Sequence, residues 1–164
     1  MIHEFLQKHY FFEIERRDRL NQQATFTAAL AALYFPLFGQ IVSSPNFDSL
    51  QSVIAAILAF ISAVPAILFA VHFYGFFGYT AKYISNPDDI FRSFKIRTLF
   101  DRSNSPEFSS VSELYEDICE DFADATAHNR SMNLKKSKAL LDANRSIYLG
   151  LLIAGIGYIV SIIH

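Results

Sequence analysis

The sequence predicts an all-α membrane protein with three transmembrane helices, an amphipathic N-terminal helix, and a helical cytoplasmic segment between spans 2 and 3. Three long stretches, residues 24–43, 49–81 and 146–164, contain no Asp, Glu, Lys or Arg. A helix of about 20 apolar residues crosses the hydrocarbon core of a bilayer, so each stretch is long enough to span it. All 14 Lys and Arg residues lie outside these stretches, within residues 1–23 and 82–145.

The placement of the basic residues also predicts an orientation. Lys and Arg in short loops stay on the cytoplasmic side of a membrane, and one orientation satisfies this rule for every basic residue of the chain. It puts the amino terminus in the cytoplasm and the carboxyl terminus outside. Residues 1–23 contain four acidic residues and are too long for the positive start of a signal peptide, so we expect an uncleaved first span.

Length and composition fit one domain whose charges are segregated. The chain has 164 residues, of which 52% are hydrophobic and 18% charged, with a net charge of −2. No global basic field therefore points to nucleic acid or acidic lipid. The predicted organisation is a cytoplasmic amphipathic helix at 1–23, span 1 at 24–43, a short outer turn at 44–49, span 2 at 50–76, a helical cytoplasmic segment at 77–145, and span 3 at 146–164.

The N-terminal helix carries an apolar face at three-and-four spacing, which is typical of an amphipathic helix. This face either lies at the membrane interface or packs on the cytoplasmic segment, and the pattern does not decide between them. Nothing breaks the helix before span 1, so the two can be continuous, whereas Pro36 should kink or end the regular part of span 1. The residues of the face are Ile2, Phe5, Leu6, His9 and Phe12.

The cytoplasmic segment contains two helix starts. Asn86 and Pro87, followed by two acids, form the first, and Ser110 with Glu113 forms a capping box. No breaker follows the capping box, so one long helix can run from about 110 to 163, with or without a bend near 129–133. Its apolar stripe is Val111, Leu114, Tyr115, Ile118, Phe122 and Ala125, and its opposite face is acidic: Glu113, Glu116, Asp117, Glu120, Asp121 and Asp124.

Enzyme signatures are missing from the sequence. It has no Walker loop, no GxSxG or HExxH motif, and no Cys/His cluster at metal spacing. We interpret the acidic run as a solvated or ion-pairing helix face rather than a metal site. The single cysteine, Cys119, excludes an intrachain disulfide. The sequence therefore predicts a protein that is not an enzyme and needs no metal or cofactor.

Small residues recur at four-residue spacing in spans 2 and 3, a pattern that lets membrane helices approach closely. Such rows serve packing within one subunit or between subunits. A bundle of three spans has little interior to fill, so we favour homo-oligomerisation. The rows comprise Ala55, Ala59 and Ala63, then Ser62, Ala66 and Ala70, and in span 3 Gly150 with Ala154 and Gly157 with Ser161.

Polar side chains inside the spans are candidate pore residues. We single out Gln40, Ser62 and His72, because an ionisable or polar group within a membrane is a functional candidate. His72 either faces a water-filled centre or hydrogen-bonds a neighbouring carbonyl as a neutral ring. A pore needs only a polar or hydrophobic constriction, whereas the charges or paired broken helices of a transporter are not seen.

The cytoplasmic basic residues are candidate ligand contacts. They can bind anionic lipid headgroups or the phosphates of a nucleotide or oligonucleotide, although topology alone would also place them here. The candidates are Arg92, Lys95, Arg97, Lys135, Lys136 and Lys138.

Residues 10–21 carry a resemblance to a known kind of protein. The stretch contains Tyr10, Glu13, Glu15, Arg16, Arg17, Asp18, Leu20 and Asn21 and leads directly into span 1. It resembles small bacterial membrane proteins that begin with a charged helix. The layout is similar to transmembrane effectors of anti-phage systems, including SLATT-type effectors and the pore-forming partners of CRISPR or nucleotidyltransferase modules.

The resemblance implies a subunit of an oligomeric pore in the bacterial inner membrane. The pore would stay shut until a nucleotide or nucleic-acid ligand, made by a companion protein, binds in the cytoplasm, and opening would depolarise the membrane. The alternative expectation is a non-conducting anchor or adaptor for a cytoplasmic partner, held through residues 86–145.

Overall fold

The described part of the chain is entirely helical. The structure is a computed structural model that describes residues 2–43, 49–79 and 111–163. It contains α1 (Ile2–Ser43), α2 (Leu50–Gly78) and α3 (Val111–Ile162). Each of the three is long and apolar enough to cross a membrane. The predicted all-α class with three candidate spans is therefore confirmed at this level.

Helix α1 combines the predicted N-terminal helix and span 1 in one element. It runs from Ile2 to Ser43 with Pro36 inside it. The boundary that we placed between residues 23 and 24 is not a break in the helix. Pro36 does not end the helix either, because α1 continues for seven residues beyond it.

Helix α2 begins at a serine cap. The backbone of Ser49 is extended, and its hydroxyl accepts a hydrogen bond from the backbone N–H of Ser52 over 3.2 Å. This bond gives a partner to one of the backbone N–H groups that have no acceptor within the first turn of a helix. The helix contains Pro65 and ends at Gly78, two residues beyond the predicted end of span 2.

Helix α3 is a single long helix, one of the two arrangements that the sequence left open. It begins at Val111, directly after the predicted capping residue, and continues for 52 residues to Ile162. Ser110 itself, the predicted helix start at Asn86 and residues 44–48 of the predicted outer turn lie outside the described residues.

The chain divides into two compact units, which we call unit 1 and unit 2. Unit 1 contains residues 2–17 and 111–133 of the described part, and unit 2 contains residues 18–43, 49–79 and 134–163. The division falls within α1 and within α3, so both helices supply residues to both units.

The core of unit 1 shows which side of the N-terminal helix packs, a choice that the sequence left open. Tyr10 packs against Phe122 and Ala125, with Leu6 and Ile14 beside them. Of the predicted face, Phe5, His9 and Phe12 are exposed instead, with Phe5 61% and Phe12 54% accessible. The helix has two apolar sides. Phe5 and Phe12 lie on one side and Tyr10 and Ile14 on the other, and the side with Tyr10 is the one that packs.

Unit 2 buries small clusters along its three helices. The largest contains Ala31 and Tyr34 of α1 with Ile147 and Ala154 of α3. In each candidate span only 22% of the most apolar 18-residue window is buried. Large apolar side chains cover the remaining surface, and a helix satisfies its own backbone hydrogen bonds in lipid. These features indicate a multi-pass membrane protein.

Candidate functional site

The inward face of α1 in unit 2 carries polar side chains that are bonded to other helices. The Thr27 hydroxyl is fully buried and lies 2.7 Å from Oδ1 of Asn144 in α3 and 2.9 Å from the carbonyl oxygen of Gln23 in its own helix. Its single proton can serve either acceptor, and the shorter distance is the one to Asn144. A buried hydroxyl is costly without such a partner. Thr27 and Asn144 therefore fix α1 against α3 at this level.

A second buried bond joins α1 to α2. The Ser62 hydroxyl donates to the carbonyl oxygen of Ala59 over 2.6 Å, and Oγ of Ser62 lies 3.0 Å from the hydroxyl of Tyr34. Since the Ser62 proton is used on Ala59, Tyr34 must be the donor of the second bond. Ser62, a candidate pore residue, thus lies fully buried, and its proton and one of its acceptor lone pairs are used inside one subunit.

The small residues of α2 and α3 pack against each other within the chain. A Cβ atom added at Gly150 would lie 3.5 Å from the carbonyl oxygen of Ser62, and one added at Gly157 would lie 3.4 Å from that of Ala55. Ala59 and Ala154 are fully buried, whereas Ala63 and Ala66 are partly buried. The rows therefore account for close packing of α2 on α3 inside unit 2.

His72 occupies a partly buried position in α2. Its Nδ1 atom is buried, and no described residue forms a hydrogen bond with it. The predicted alternative, a ring bonded to a carbonyl, does not hold for this nitrogen.

The outward face of α1 is the unusual surface of unit 2. Exposed positions at three-and-four spacing lie on one side of a helix, and on α1 they hold small or uncharged polar residues. Phe26 and Leu33 flank this row on one side, and Phe35 and Val42 on the other. We call the row the α1 stripe; its residues, all exposed, are Gln22, Thr25, Ala29, Ala32, Pro36, Gln40 and Ser43.

The outward faces of α2 and α3 are different from the α1 stripe. Between Ile54 and Phe77, the exposed residues of α2 are large and apolar or aromatic, with Ala70 as the exception. From Tyr148 to Ile162, all exposed residues of α3 are large and apolar or aromatic. Within residues 22–43, 54–77 and 148–162, α1 is therefore the helix whose outward face carries exposed polar side chains other than tyrosine.

Pro36 adds a backbone group to the α1 stripe. Proline has no N–H, so Pro36 cannot donate to the carbonyl of Ala32, four residues earlier in the helix. Both residues are exposed, so the missing bond lies on the outward side. In α2, Pro65 likewise cannot donate a hydrogen bond to the carbonyl of Ile61, but Pro65 is buried and does not lie on the outward face. The carbonyl of Ala32 thus gives the stripe an additional acceptor.

A cleft opens beside the end of the α1 stripe. It has a volume of about 620 Å³ and lies between the last turns of α1 and α3 and the first turns of α2. Its polar lining is uncharged and consists of Gln40, Ser43, Ser52, Tyr158 and Ser161. The Ser161 hydroxyl donates to the carbonyl of Tyr158 over 2.7 Å. Gln40, a candidate pore residue, belongs to both the stripe and the cleft.

The candidate phosphate contacts fall into two groups. Lys135 and Lys138 are exposed in unit 2. Lys136 is 9% exposed, and its ammonium lies 5.0 Å from the centre of the Phe76 ring, the geometry of a cation–π contact. Lys136 therefore belongs to the packing of α3 on α2. Arg92, Lys95 and Arg97 lie outside the described residues.

Unit 1 has its own buried polar group. Nδ2 of Asn133 donates to the backbone oxygen of Glu13 over 2.8 Å and to its carboxylate over 2.9 Å. Arg16 lies 3.9 Å from the other carboxylate oxygen. One turn earlier, Asn129 is 3% exposed, and neither of its amide atoms forms a hydrogen bond with any described residue.

The acidic face of α3 is open to solvent where it is described, at Glu116, Glu120, Asp121 and Asp124. In the part of the chain that the structure describes, no group of three or more His, Cys, Asp or Glu side chains could hold a metal ion.

Comparison with known proteins gives no relative. The chain matches no family model, no curated protein and no solved structure.

The α1 stripe is the feature that sequence reasoning missed. Gln40 is predicted from the sequence as a polar residue of span 1, but the row of small and polar residues that recur at three-and-four spacing on one face is not identified there. The signal was present in the spacing from Gln22 to Ser43. It becomes informative only when Thr27 and Tyr34 are known to define the opposite, inward face.

Proposed function

We propose that the protein is a subunit of a homo-oligomeric ion-conducting pore in a bacterial inner membrane. The α1 stripe lines the pore, and a phosphorylated cytoplasmic ligand opens it. Opening depolarises the membrane as part of anti-phage defence. The observation that carries the proposal is the exposure of small and polar residues on α1, whereas α2 and α3 expose large apolar side chains.

The cost of placing the stripe in lipid supports this assignment. Gln40 is exposed on the stripe, and an amide side chain without a partner is expensive in hydrocarbon. The Thr25 hydroxyl adds little to this cost, because it already donates to the carbonyl of Asn21 over 3.2 Å. The Ala32 carbonyl, which Pro36 leaves without its helical donor, adds to this cost, because lipid cannot supply a hydrogen bond. Water in a pore formed by several copies of α1 satisfies all of these groups.

Orientation follows from the positive-inside rule and is part of the proposal. We place residues 1–23 in the cytoplasm and the carboxyl terminus outside. Fusions at the carboxyl terminus test it, with alkaline phosphatase active only outside and green fluorescent protein fluorescent only inside. Active phosphatase and a dark fluorescent fusion are expected. The reverse result would move Lys135 and Lys138 to the outside and remove the cytoplasmic ligand site.

Ion flux in liposomes is the direct test of a pore. The purified protein is reconstituted into vesicles with a potassium gradient, and a voltage-sensitive dye reports the membrane potential. ATP and a short RNA oligonucleotide serve as probes for the phosphorylated ligand. We expect dye signals that depend on the protein and increase with one of these probes. Inserted, monodisperse protein that conducts under none of these conditions would contradict the proposal.

Cysteine accessibility tests whether α1 lines the pore. The native Cys119 is first replaced by serine, and single cysteines are then introduced at Thr25, Ala29 or Ala32. Thiolates react with water-soluble reagents, so we expect these positions to be modified in conducting vesicles. Cysteines at the exposed apolar positions Ile57 and Leu152 are the matched controls and should stay unmodified. Equal labelling of both sets would contradict a pore lined by α1.

The defence role rests on the resemblance of residues 10–21 to small membrane effectors. Its test is phage challenge of cells that express the protein with the genes that neighbour it. Protection that disappears when Ala29 or Ala32 is replaced by leucine is expected, because the larger side chain narrows the pore. Protection that survives these substitutions would separate any defence role from conduction.

A membrane anchor for a cytoplasmic partner is the second candidate function. The observation that favours it is the aromatic surface of unit 1, where Phe5, Phe11 and Phe12 are exposed. Exposed aromatic patches are common at protein and membrane contacts. The liposome assay distinguishes the two functions, since an anchor produces no flux with any probe.

A further inference from the structure

The described lining of the cleft beside the end of the α1 stripe carries no formal charge. Gln40 and Ser43 of the α1 stripe also line the cleft of about 620 Å³, whose polar groups are hydroxyls and amides. No Asp, Glu, Lys or Arg occurs in residues 24–43, 49–81 or 146–164. Whichever face of these helices meets the pore, it presents no charged ring at membrane depth.

Channels select ions by charged rings, by arrays of backbone carbonyls or by a hydrophobic constriction. A carbonyl array needs unwound backbone, whereas α1 is helical through Ser43. Pro36 frees one carbonyl in each subunit, that of Ala32, which is too few to replace the hydration shell of an ion. Between Thr25 and Ser43 the stripe therefore supplies a hydrated path without a formal charge, and the nearest exposed charge on the same face of α1 is Asp18, four residues before Gln22 at the cytoplasmic end.

We propose that the pore passes small hydrated ions of both signs, and that Gln40 is its selectivity-determining position. This inference rests on the proposed function. Gln40 is the longest polar side chain in the part of the stripe that follows Pro36, and it is exposed at the cleft. Because its amide is neutral, it hydrates an ion without sorting cations from anions. A charge at this position would act on every passing ion.

Reversal potentials measure the selectivity. The full-length protein is reconstituted into planar bilayers with a potassium chloride gradient, and single openings are recorded without ligand and with ATP or RNA oligonucleotide as probe. The wild-type protein should give a potassium-to-chloride permeability ratio near one. Gln40→Glu should raise the ratio, and Gln40→Lys should lower it, each by roughly fivefold or more, because a nearby unit charge acts strongly in a medium of reduced dielectric.

Gln51 provides the matched control. It is an exposed glutamine in the first turn of α2 and does not belong to the lining of the cleft or to the α1 stripe. Gln51→Glu and Gln51→Lys add the same charges at the same end of unit 2. They should leave the permeability ratio within twofold of the wild type, since salt screens charges outside the path.

A charge can also be added after folding. Gln40→Cys is made in the Cys119→Ser protein, reconstituted, and then treated with an anionic or a cationic thiol reagent. The anionic reagent should raise the permeability ratio, and the cationic reagent should lower it, in channels that were already open. This version of the test does not depend on how the Glu and Lys variants fold.

The outcomes separate this inference from the proposed function. If the wild-type channels conduct with a strong preference for cations or anions, the proposal that the pore passes ions of both signs is wrong. If the channels conduct but a charge at position 40 leaves the potassium-to-chloride permeability ratio unchanged, Gln40 does not determine selectivity, although the pore itself is supported. The absence of current in every variant, with inserted protein, would overturn the proposed function itself.

Discussion

The hydroxyl of Tyr34 donates a hydrogen bond to Oγ of Ser62 over 3.0 Å in the interior of unit 2. Ser62 uses its own proton on the carbonyl of Ala59, so the chain of two bonds runs in one direction from α1 into α2. This arrangement turns the Tyr34 side of α1 inward. The α1 stripe, on the opposite side, is consequently turned outward.

Removal of the Tyr34 hydroxyl should weaken the contact between α1 and α2. Tyr34→Phe leaves Oγ of Ser62 buried without its donor, and we expect a loss of about 0.5–1.5 kcal/mol in the free energy of unfolding. Reversible denaturation in detergent micelles measures it. Tyr148→Phe, at an exposed position of α3, is the matched control and should change stability by less than about 0.5 kcal/mol. Equal effects would show that the hydroxyl of Tyr34 is not part of the helix contact.

The glycines of α3 allow a second matched comparison. A Cβ atom added at Gly157 would lie 3.3 Å from Cβ of Leu58, whereas one added at Gly155 meets nothing within 4 Å. Gly157→Leu should therefore overpack the helix contact and cost about 1–3 kcal/mol. Gly155→Leu should not destabilise the protein, since leucine is the better helix former. Thermal unfolding in detergent compares the two variants. If they lose the same stability, α2 and α3 do not pack as described.

The sequence was sufficient to predict three apolar helices that are long enough to cross a membrane. Residues 24–43, 49–81 and 146–164 lack charges. No helix-breaking residue follows the capping box before the end of α3 at Ile162. Length and hydropathy are therefore enough to indicate these helices. Both quantities are properties of a single helix. They do not depend on which neighbour the helix contacts.

The packing directions could not be predicted, for a physical reason. In the N-terminal helix both Phe5 and Tyr10 lie on apolar sides, and periodicity does not tell which side meets a partner. Unit 1 packs Tyr10 on Phe122 and leaves Phe5 exposed. In α1 the mean hydropathy conceals the stripe, because Ala29 and Ala32 count as apolar although they lie on the polar face. Only the inward bonds of Thr27 and Tyr34 distinguish the two faces.

The bond between Asn133 and Glu13 predicts a rescue in unit 1. Asn133→Asp places a second carboxylate beside that of Glu13, which is 6% exposed, and we expect a loss of about 1–3 kcal/mol. Adding Glu13→Gln should restore part of it, because the glutamine amide can donate to the new aspartate, whereas the bond from Asn133 to the backbone oxygen of residue 13 stays lost. Hydrogen exchange of residues 2–17 reports unit 1 directly.

Two outcomes bear on that prediction. Glu120→Gln, at an exposed position on the acidic face of α3, is the control and should leave exchange unchanged. A double variant that is no more protected than Asn133→Asp alone would mean that the two side chains are not bonded in solution.

Charge reversal at the three lysines of α3 should have different effects on stability, because Lys136 is buried and Lys135 and Lys138 are exposed. Lys136 lies over the Phe76 ring, so Lys136→Glu loses the cation–π contact and buries an anion against aromatic carbon; it should cost at least about 1 kcal/mol of stability. Lys135→Glu and Lys138→Glu, at exposed positions, should stay within about 0.5 kcal/mol of wild type. Denaturation in detergent measures all three.

The same variants then test the phosphate site of the proposed pore. The double variant Lys135→Glu with Lys138→Glu should insert normally and lose its response to ATP or RNA oligonucleotide in the liposome assay, because the new carboxylates repel phosphate. A loss of response in Lys136→Glu carries no such meaning, since that variant is unstable for a structural reason. An unchanged response in the stable double variant would place the phosphate contacts elsewhere in the chain, with Arg92, Lys95 and Arg97 as the next candidates.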